Sequence, residues 1–280
     1  VKLARFGTRQ PEEPDYATAL QAIGPAAIKL GQALATRPDL VGEKAAHNLL
    51  TLQDSLPPAP FHLIKESVEK ALEAPLDKLF VEFDEVPVGA ASIAQVHRAV
   101  TTEGQQVAVK VLRPGIEEEF ATALETYEWA AAHLETHGGD EAVRLRPQMV
   151  IAHFRQWTRR ELDLNREAAS ASELKQNMVA EPGFYVPDID WKRTSRRVMT
   201  LEWLDGIKLS KRDELLAAGH NPRDLAAILV RAFLRQAVID GFFHADLHQG
   251  NLFALPDGRI AAIDFGIMGR IDRRARLWLA

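Results

Sequence analysis

The sequence contains no cysteine among its 280 residues. This absence excludes disulfide bonds, thiolate metal sites and cysteine nucleophiles together, and it fits a reducing compartment. Long apolar runs are also missing, because Arg231 and Arg235 interrupt the longest candidate, residues 225–243. Aromatic residues make up only 7% of the chain, but 46% of its residues are hydrophobic, enough for one large two-lobed domain or two small domains.

Positive charge is not in excess either. The formal net charge is -5, so a broad nucleic-acid-binding face is not indicated and we expect no nucleic-acid partner. The sequence begins with Val1 rather than methionine and shows no signal peptide. We predict a cytoplasmic location, and we expect residues 1–14, which are polar and spaced by prolines, to form a poorly ordered arm.

Polar residues near the end of the sequence form the clearest functional pattern. Residues 252–255 and 259–263 predict two short strands, joined by a turn at Pro256-Asp257-Gly258. In such an antiparallel hairpin Asn251 and Asp264 meet at one end. An amide oxygen and a carboxylate suit Mg²⁺, which takes few protein ligands and completes its shell with phosphate and water. The hairpin therefore predicts a magnesium site.

Asp246 adds a third group to this pattern. It lies five residues before Asn251 and two after His244, which is the His-x-Asp-x-x-x-x-Asn spacing of kinase catalytic loops. In those loops the aspartate accepts the proton of the attacking hydroxyl. The alternative is a loop of solvated polar residues beside a structural hairpin. Three groups with distinct roles at matching spacings favour the catalytic interpretation.

A lysine on an apolar strand is the next signal. Residues 98–100 and 106–111 predict a hairpin, and the alternation of the second strand places Ala108 and Lys110 on one face and valines on the other. A buried ammonium needs a partner or a ligand. In kinases this alanine lies over adenine and this lysine holds the α- and β-phosphates. The alternative is an edge-strand lysine that reaches solvent.

Two further segments complete a nucleotide site. Small residues between two predicted strands would let backbone amides approach a phosphate, although such runs are more often packing sites. These small residues are Gly89, Ala90, Ala91 and Ser92. After residues 197–203, which predict a strand, Glu202 and Leu204 occupy the position of a hinge between two lobes, where backbone groups would meet the edge of adenine.

The rest of the sequence is mostly helical in pattern. Apolar spacing, prolines and caps predict helices over residues 25–37, 42–54, 60–73, 116–134 and 147–179, with a loop at 137–140. On the first of these helices, Lys29 and Gln32 share a face, and Gly31 would permit close approach of another backbone. A solvated lysine and glutamine on an ordinary helix is the alternative.

Residues 147–179 carry carboxylates of interest. In one continuous helix Asp163 and Glu167 would share a face, and such like-charge pairs are mildly destabilising. Neighbouring arginines would offset that cost on a solvated, salt-bridged face, which is one interpretation. The other makes Glu167 the helix glutamate that pairs with Lys110 and holds it for phosphate.

Taken together, the motifs resemble those of the UbiB family of atypical kinases, over residues 16–280. Lys29-Leu30-Gly31-Gln32 is similar to the family's Lys-x-Gly-Gln signature, and residues 89–97 to its alanine-rich loop. Glu161-Leu162-Asp163 matches its Glu-x-Asp motif. The segment from His244 to Asn251 and Asp264-Phe265-Gly266 complete the set. Gly89 stands where the family often has alanine, and Leu247 and Gln249 replace prolines.

The resemblance implies an α+β, two-lobed protein-kinase-like fold. We expect an N-terminal helical extension over residues 1–75, an N-lobe over 76–205 and the start of a C-lobe over 206–280, with the C-lobe truncated. The Lys-x-Gly-Gln helix is expected to lie over the cleft near the Glu-x-Asp carboxylates. Phosphorylation of proteins in trans is then disfavoured relative to ATP hydrolysis or phosphorylation of a small molecule.

The family also implies cofactors and partners. ATP or ADP with Mg²⁺ would bind, and the protein would support ubiquinone synthesis, with quinone-precursor lipids and biosynthetic proteins as partners and peripheral association at the inner face of a membrane. Two alternatives stay open. One is a small-molecule kinase resembling aminoglycoside or choline kinases, against which the Lys-x-Gly-Gln signature argues. The other is a nucleotide-gated, non-catalytic scaffold of a lipid-biosynthetic complex.

Overall fold

A computed structural model describes residues 15–52 and 56–279. The chain divides into two compact units. A helical unit contains the described residues up to Leu56 together with Ile116–Arg155, and a mixed unit contains Pro57–Gly115 and the described residues that follow Arg155. Within the described residues, no helix is both long enough and apolar enough to cross a bilayer. The predicted N-terminal arm lies outside the described residues.

The described helices, in chain order, are α1 (Tyr16–Ile23), α2 (Pro25–Ala35), α3 (Pro38–Val41), α4 (Glu43–Leu49), α5 (Phe61–Leu72), α6 (Leu76–Leu79), α7 (Ile116–His137), α8 (Gly139–Leu145), α9 (Pro147–Glu161), α10 (Leu164–Asn177), α11 (Arg212–Ala217), α12 (Pro222–Leu234) and α13 (Arg273–Leu279). Short 3₁₀ turns follow at Met178–Ala180 and Trp191–Arg193. A π-helical segment, Arg235–Asp240, continues from α12.

The strands are β1 (Phe80–Phe83), β2 (Gly89–Ala90), β3 (Ala94–Thr101), β4 (Gln106–Leu112), β5 (Phe184–Tyr185), β6 (Val198–Glu202), β7 (Ile207–Lys208), β8 (Phe242–His244), β9 (Leu252–Ala254), β10 (Ile260–Ala262) and β11 (Met268–Arg270). They form three sheets. The first has the order β1-β3-β4-β6, with β2 paired to β3, and the second has the order β5-β10-β9-β7. β8 and β11 form a separate antiparallel pair.

The helical unit is held together by small and leucine side chains. Pro25 begins α2, where its missing N–H costs nothing. Gly31 lies on the same helix, where the sequence suggested that another backbone could approach closely. The structure shows leucine side chains in that place instead. A Cβ there would lie 2.4 Å from Cδ1 of Leu52 and 2.6 Å from Cδ1 of Leu20, so leucine side chains fill the space.

The first sheet follows the alternation of β4. Val107, Val109 and Val111 are buried and pack with Ile64 and Val68 of α5. The opposite face of β4 carries Ala108 and Lys110, which confirms the predicted two-sided strand. This packing fixes which way the lysine points.

The predicted hairpin near the end of the chain is also present. β9 and β10 pair antiparallel, with Leu252 opposite Ala262, and Gly258 in the turn has φ +86°. Beyond the last pair, the Ile263 N–H donates to the Asn251 carbonyl at 3.1 Å. Asn251 and Asp264 therefore come to the same end of the hairpin, as predicted.

Two predicted helices and one predicted loop differ in the structure. The single helix over residues 147–179 is wrong: α9 ends at Glu161 and α10 begins at Leu164, whose N–H donates to the Arg196 carbonyl at 2.9 Å. The predicted loop at 137–140 reduces to a break at Gly138 before α8. The helix over 42–54 ends at Leu49, and Asp54 lies outside the described residues. The predicted domain boundaries stay predictions.

Candidate active site

Lys110 lies between two carboxylates in the mixed unit. Its Nζ is 2.6 Å from Oε1 of Glu167, in the first turn of α10, and 3.3 Å from Oδ2 of Asp264, which follows β10. The side chains of Lys110 and Glu167 are only 16% and 7% exposed, while that of Asp264 is 42% exposed. The strand lysine is thus paired with a helix glutamate in a largely buried ion pair, and the edge-strand interpretation is wrong.

The charges of Lys110, Glu167 and Asp264 shift one another's pKa values. Burial raises the pKa of Glu167, with the nearby charge of Asp264 acting in the same direction and the Lys110 ammonium opposing it. Burial would lower the pKa of Lys110, but the two carboxylates outweigh it and raise that pKa. Desolvation acts against ionisation of Asp264 as well, yet Lys110 and the Gly266 N–H hold its pKa at about 2. Asp264 is therefore a carboxylate at neutral pH.

Asp246 and Asn251 meet in the loop between β8 and β9. The Asn251 Nδ2 donates to Oδ2 of Asp246 at 3.1 Å and to its carbonyl at 3.3 Å. His248 lies on the other side, with its Nε2 3.7 Å from the same carboxylate oxygen. The Asp246 side chain is 41% exposed, so its carboxylate is oriented by neighbours and still accessible.

His244 connects this loop to Asp264. It is 1% exposed, its Nδ1 accepts the Asp246 N–H at 3.1 Å, and its Nε2 donates to the Asp264 carbonyl. Burial lowers the pKa of His244, which agrees with a neutral ring that accepts at one nitrogen and donates at the other. Sequence reasoning did not assign this residue a role, although its place at the head of the His-x-Asp motif was the available signal.

The small-residue loop lies across the sheet from Lys110. Gly89 pairs with Val96, and Val96 pairs with Lys110, so the three lie on one rung. The Ala91 N–H donates to the Ala94 carbonyl at 2.8 Å, which closes the turn tightly. Ala90 lies in β2, and Ser92 is fully buried.

The hinge segment follows β6. Oε2 of Glu202 accepts from the Tyr185 hydroxyl at 2.6 Å and from the Asp188 N–H at 3.2 Å. Its side chain is therefore fixed by β5 and the segment after it. The Trp203 N–H donates to the Gln106 carbonyl at 3.1 Å. Leu204 follows in irregular backbone and is partly buried.

The two family signatures lie in different compact units. Lys29 and Gln32 are on α2 of the helical unit, where Lys29 is buried and Gln32 is partly buried. Glu161 ends α9 and Asp163 is the N-cap of α10, both in the mixed unit. Asp163 and Glu167 therefore do not share a helical face, because the chain bends at Leu162. Whether α2 lies over the Glu-x-Asp motif stays a prediction.

The donor set at the hairpin end fits a hard divalent cation. Asp264 supplies a carboxylate. Because the Asn251 Nδ2 donates hydrogen bonds to Asp246, the Asn251 Oδ1 is the atom of that amide that could bind a cation. In the described part of the chain, no three acidic or histidine side chains gather as a metal cluster. A cation held here would therefore rely on phosphate and water oxygens for the rest of its shell, which is the habit of Mg²⁺.

Comparison with known proteins decides the family. The ABC1 atypical kinase-like domain matches residues 51–280. The chain belongs to the UbiB family of atypical kinases. It is 42% identical over 266 residues to a protein of Marinobacter nauticus named Probable protein kinase UbiB, covering 94% of this chain and 48% of that protein. The chain thus spans about half the length of this UbiB relative.

Two other proteins are similar to the chain. Over 292 residues the chain is 36% identical to uncharacterized protein slr0889 of Synechocystis sp., covering 99% of this chain and 70% of that protein. The chain also superposes on a solved structure of Rv3197 of Mycobacterium tuberculosis in complex with erythromycin, with a TM-score of 0.62 and 28% sequence identity. The match covers 91% of this chain and 63% of that one. The predicted α+β kinase-like fold is confirmed.

Proposed function

We propose that this UbiB-family chain binds ATP with Mg²⁺ and acts as a phosphotransferase or ATPase that supports ubiquinone synthesis. The observation that carries the proposal is the Lys110 ammonium held 2.6 Å from Glu167 and 3.3 Å from Asp264. Kinases hold ATP phosphates with this lysine, position it with a helix glutamate and bind metal with the aspartate after the hairpin. The carboxylates here keep Lys110 charged and oriented.

In this proposal the nucleotide lies against the first sheet. Lys110 contacts the α- and β-phosphates. Ala108, two residues before Lys110 and on the same face of β4, lies against adenine. The hinge backbone at Glu202 and Leu204 meets the edge of adenine. The phosphates are covered by the loop of small residues Gly89, Ala90, Ala91 and Ser92.

Asn251 and Asp264 would hold the metal. When bound there, Mg²⁺ would neutralise phosphate charge and polarise the phosphoryl group. The protein's part is to keep Asp264 ionised, through Lys110 and the Gly266 N–H, and to keep the Asn251 amide turned by its bonds to Asp246. Both residues are thus oriented before a cation arrives.

Asp246 would orient or deprotonate the attacking group, which is water or a small-molecule hydroxyl. Its carboxylate is accessible and is held by Asn251 at 3.1 Å. Its backbone is held by His244. Catalysis would rest on positioning and electrostatic stabilisation rather than covalent chemistry. We do not expect the chain to phosphorylate other proteins in trans. Lys29, Gln32, Glu161 and Asp163, the residues of the two family motifs, would disfavour protein acceptors.

The acceptor and partners are proposed at the level of class. We place the protein in the cytoplasm, in peripheral contact with the inner face of a membrane, acting on quinone-precursor lipids or with ubiquinone-biosynthesis proteins. Residues 1–75 would form the helical extension, 76–205 the N-lobe and 206–280 the start of the C-lobe. The name of the Marinobacter nauticus relative supports a kinase-type activity.

Calorimetric titration of ATP and ADP, with and without Mg²⁺, tests the proposal. We expect Mg²⁺-dependent binding that is lost in Asp264→Asn and retained in Asp246→Asn, whereas turnover is lost in both. Asp257→Asn is the matched control, because that carboxylate sits in the exposed hairpin turn, paired with Arg259 at 2.7 Å. Absence of nucleotide binding by the folded wild-type protein would overturn the proposal.

A further inference from the structure

The helix that leads to β8, the strand before the Asp246 loop, changes from α-helical to π-helical winding before it ends. α12 is followed by the π-helical segment Arg235–Asp240, whose cap residue Gly241 donates its N–H to the Gln236 carbonyl. A π turn inserts an extra residue into a helix and re-aims the side chains that follow, and such turns are frequent at functional sites. Gln236 is the second residue of this segment and is fully buried.

The Gln236 side chain contacts the backbone that delivers Asp246. Its Oε1 accepts the His244 N–H at 3.0 Å. The next two amides are also satisfied: the Ala245 N–H donates to the Ile267 carbonyl at 3.0 Å, and the Asp246 N–H donates to His244 Nδ1 at 3.1 Å. Three consecutive amides entering the catalytic loop thus have assigned acceptors, and Gln236 supplies the first.

The rest of the Gln236 amide shows why this position is polar. Its Nε2 is buried and makes no hydrogen bond within the described part of the chain. A buried donor without an acceptor is unfavourable, so an apolar side chain would pack here at lower cost if the position served packing alone. The need for a polar side chain at this position is explained by the amide oxygen, which accepts the His244 N–H.

We propose that Gln236 is a positioning residue for the catalytic loop. It fixes the backbone of His244, and His244 in turn contacts both the Asp246 N–H and the Asp264 carbonyl. One buried amide therefore fixes the position of Asp246, which would activate the nucleophile, relative to Asp264, which would hold the metal. The kinetic consequences rest on the proposed function, but the placement of the loop does not.

Two substitutions separate the oxygen from the shape of the side chain. Gln236→Met keeps the length and lacks the acceptor, whereas Gln236→Glu keeps an oxygen at the same distance along the chain. We expect kcat to fall roughly ten- to hundredfold in Gln236→Met while the KM for ATP changes little, because misplacing a reacting group slows the chemical step. In Gln236→Glu we expect kcat to recover most of that loss.

Amide hydrogen exchange tests the placement without relying on turnover. We expect the amides of residues 242–251 to exchange about tenfold faster or more in Gln236→Met, with near-wild-type protection in Gln236→Glu and elsewhere in the chain. If Gln236→Met does not fold, Gln236→Asn, whose amide is one methylene shorter, takes its place. Wild-type exchange rates in the folded Met or Asn variant, or equal loss of protection in the Glu variant, would overturn the inference. A wild-type protein without turnover would instead count against the proposed function.

Discussion

At the scale of single residues, the site depends on how one ammonium is shared. Lys110 has Glu167 as its closer and more buried partner, and Asp264 as its more exposed partner. Glu167 also accepts the Phe265 N–H at 3.4 Å, so the helix glutamate reaches the backbone next to the metal candidate. Removing the charge of Glu167 should therefore leave Lys110 drawn toward Asp264, away from the position in which it would contact the proposed nucleotide.

This gives a prediction for Glu167→Gln. We expect Mg²⁺-ATP to bind at least about tenfold more weakly, because a hydrogen bond to a charged group contributes roughly 1.5–3 kcal/mol. Calorimetric titration measures the dissociation constant. Glu173→Gln on the same helix is the control, because Glu173 pairs with Arg270 in an exposed salt bridge at 2.6 Å. Equal affinity in wild type and Glu167→Gln would contradict the assigned role.

Another residue-scale prediction concerns pH and His97. This ring is fully buried, its Nδ1 donates to the Asp84 carbonyl at 2.7 Å, and its Nε2 accepts from Gln95 Nε2 at 2.8 Å. The Gln95 amide cannot turn to accept a proton, because its Oε1 already accepts the Ala59 N–H at 2.8 Å. The surroundings therefore hold His97 in one neutral tautomer, and burial lowers its pKa below 6.5.

The sign of the effect follows from linkage. Below pH 6.5 the unfolded chain binds a proton at His97 more readily than the folded chain does, so stability falls as the pH is lowered through that range. We expect Tm to drop between about pH 7 and pH 5, and His97→Gln to reduce that drop. His62→Gln, at an exposed position of α5, is the control substitution. Identical slopes for wild type and His97→Gln would show that another group is responsible.

At the scale of elements, sequence patterns predicted the structure correctly where residues adjacent in the sequence determine it. The β9–β10 hairpin was predictable because its turn residues and apolar strands are adjacent in sequence, and β4 because its alternation is strict. The bend at Leu162 was not predictable, because the Leu164 N–H leaves the helix pattern for the carbonyl of Arg196, far away in sequence. The π-helical turn carries no sequence signal either, so Gln236 could be found only from the structure.

The junction between the hinge and β9 gives an element-scale prediction. A Cβ at Gly206 would lie 2.9 Å from the Ala254 carbonyl oxygen and 3.1 Å from Cβ of Phe253, which are backbone or near-backbone atoms that cannot easily move. We expect Gly206→Ala to lower the free energy of unfolding by about 1–3 kcal/mol, the cost of overpacking. Urea denaturation measures the change.

Gly89→Ala is the matched control for Gly206→Ala. Among the described residues, apart from Gly89 itself and its two chain neighbours, no atom lies within 4 Å of a Cβ built at Gly89. This substitution also introduces the alanine that is frequent in the family. We expect its stability to equal that of wild type within about 0.5 kcal/mol. A Gly206→Ala protein as stable as Gly89→Ala would mean that the hinge backbone shifts freely away from β9.

At the scale of the whole molecule, the helical unit is discontinuous in sequence. Residues 116–155 enter it between β4 and α10, so its α7 packs with α2 from the N-terminal part of the chain. The nucleotide candidates have a different distribution. The strand lysine, the helix glutamate, the Asp246 loop and the metal candidates all lie within Pro57–Gly115 and the residues after Arg155. Sequence motifs identified these residues but not the unit boundaries, because contacts between distant segments set those boundaries.

Removing residues 1–56 tests this division. α7 would lose its packing with α2, so we expect rapid proteolysis within residues 116–155. Mg²⁺-dependent binding of ATP should persist, because the mixed unit retains Lys110, Glu167 and Asp264 in mutual contact. Limited proteolysis followed by calorimetry measures both effects on one sample. Nucleotide affinity lost while the mixed unit stays protease-resistant would mean that the N-terminal helices contribute directly to binding, and would give the Lys-x-Gly-Gln helix a role in holding the nucleotide.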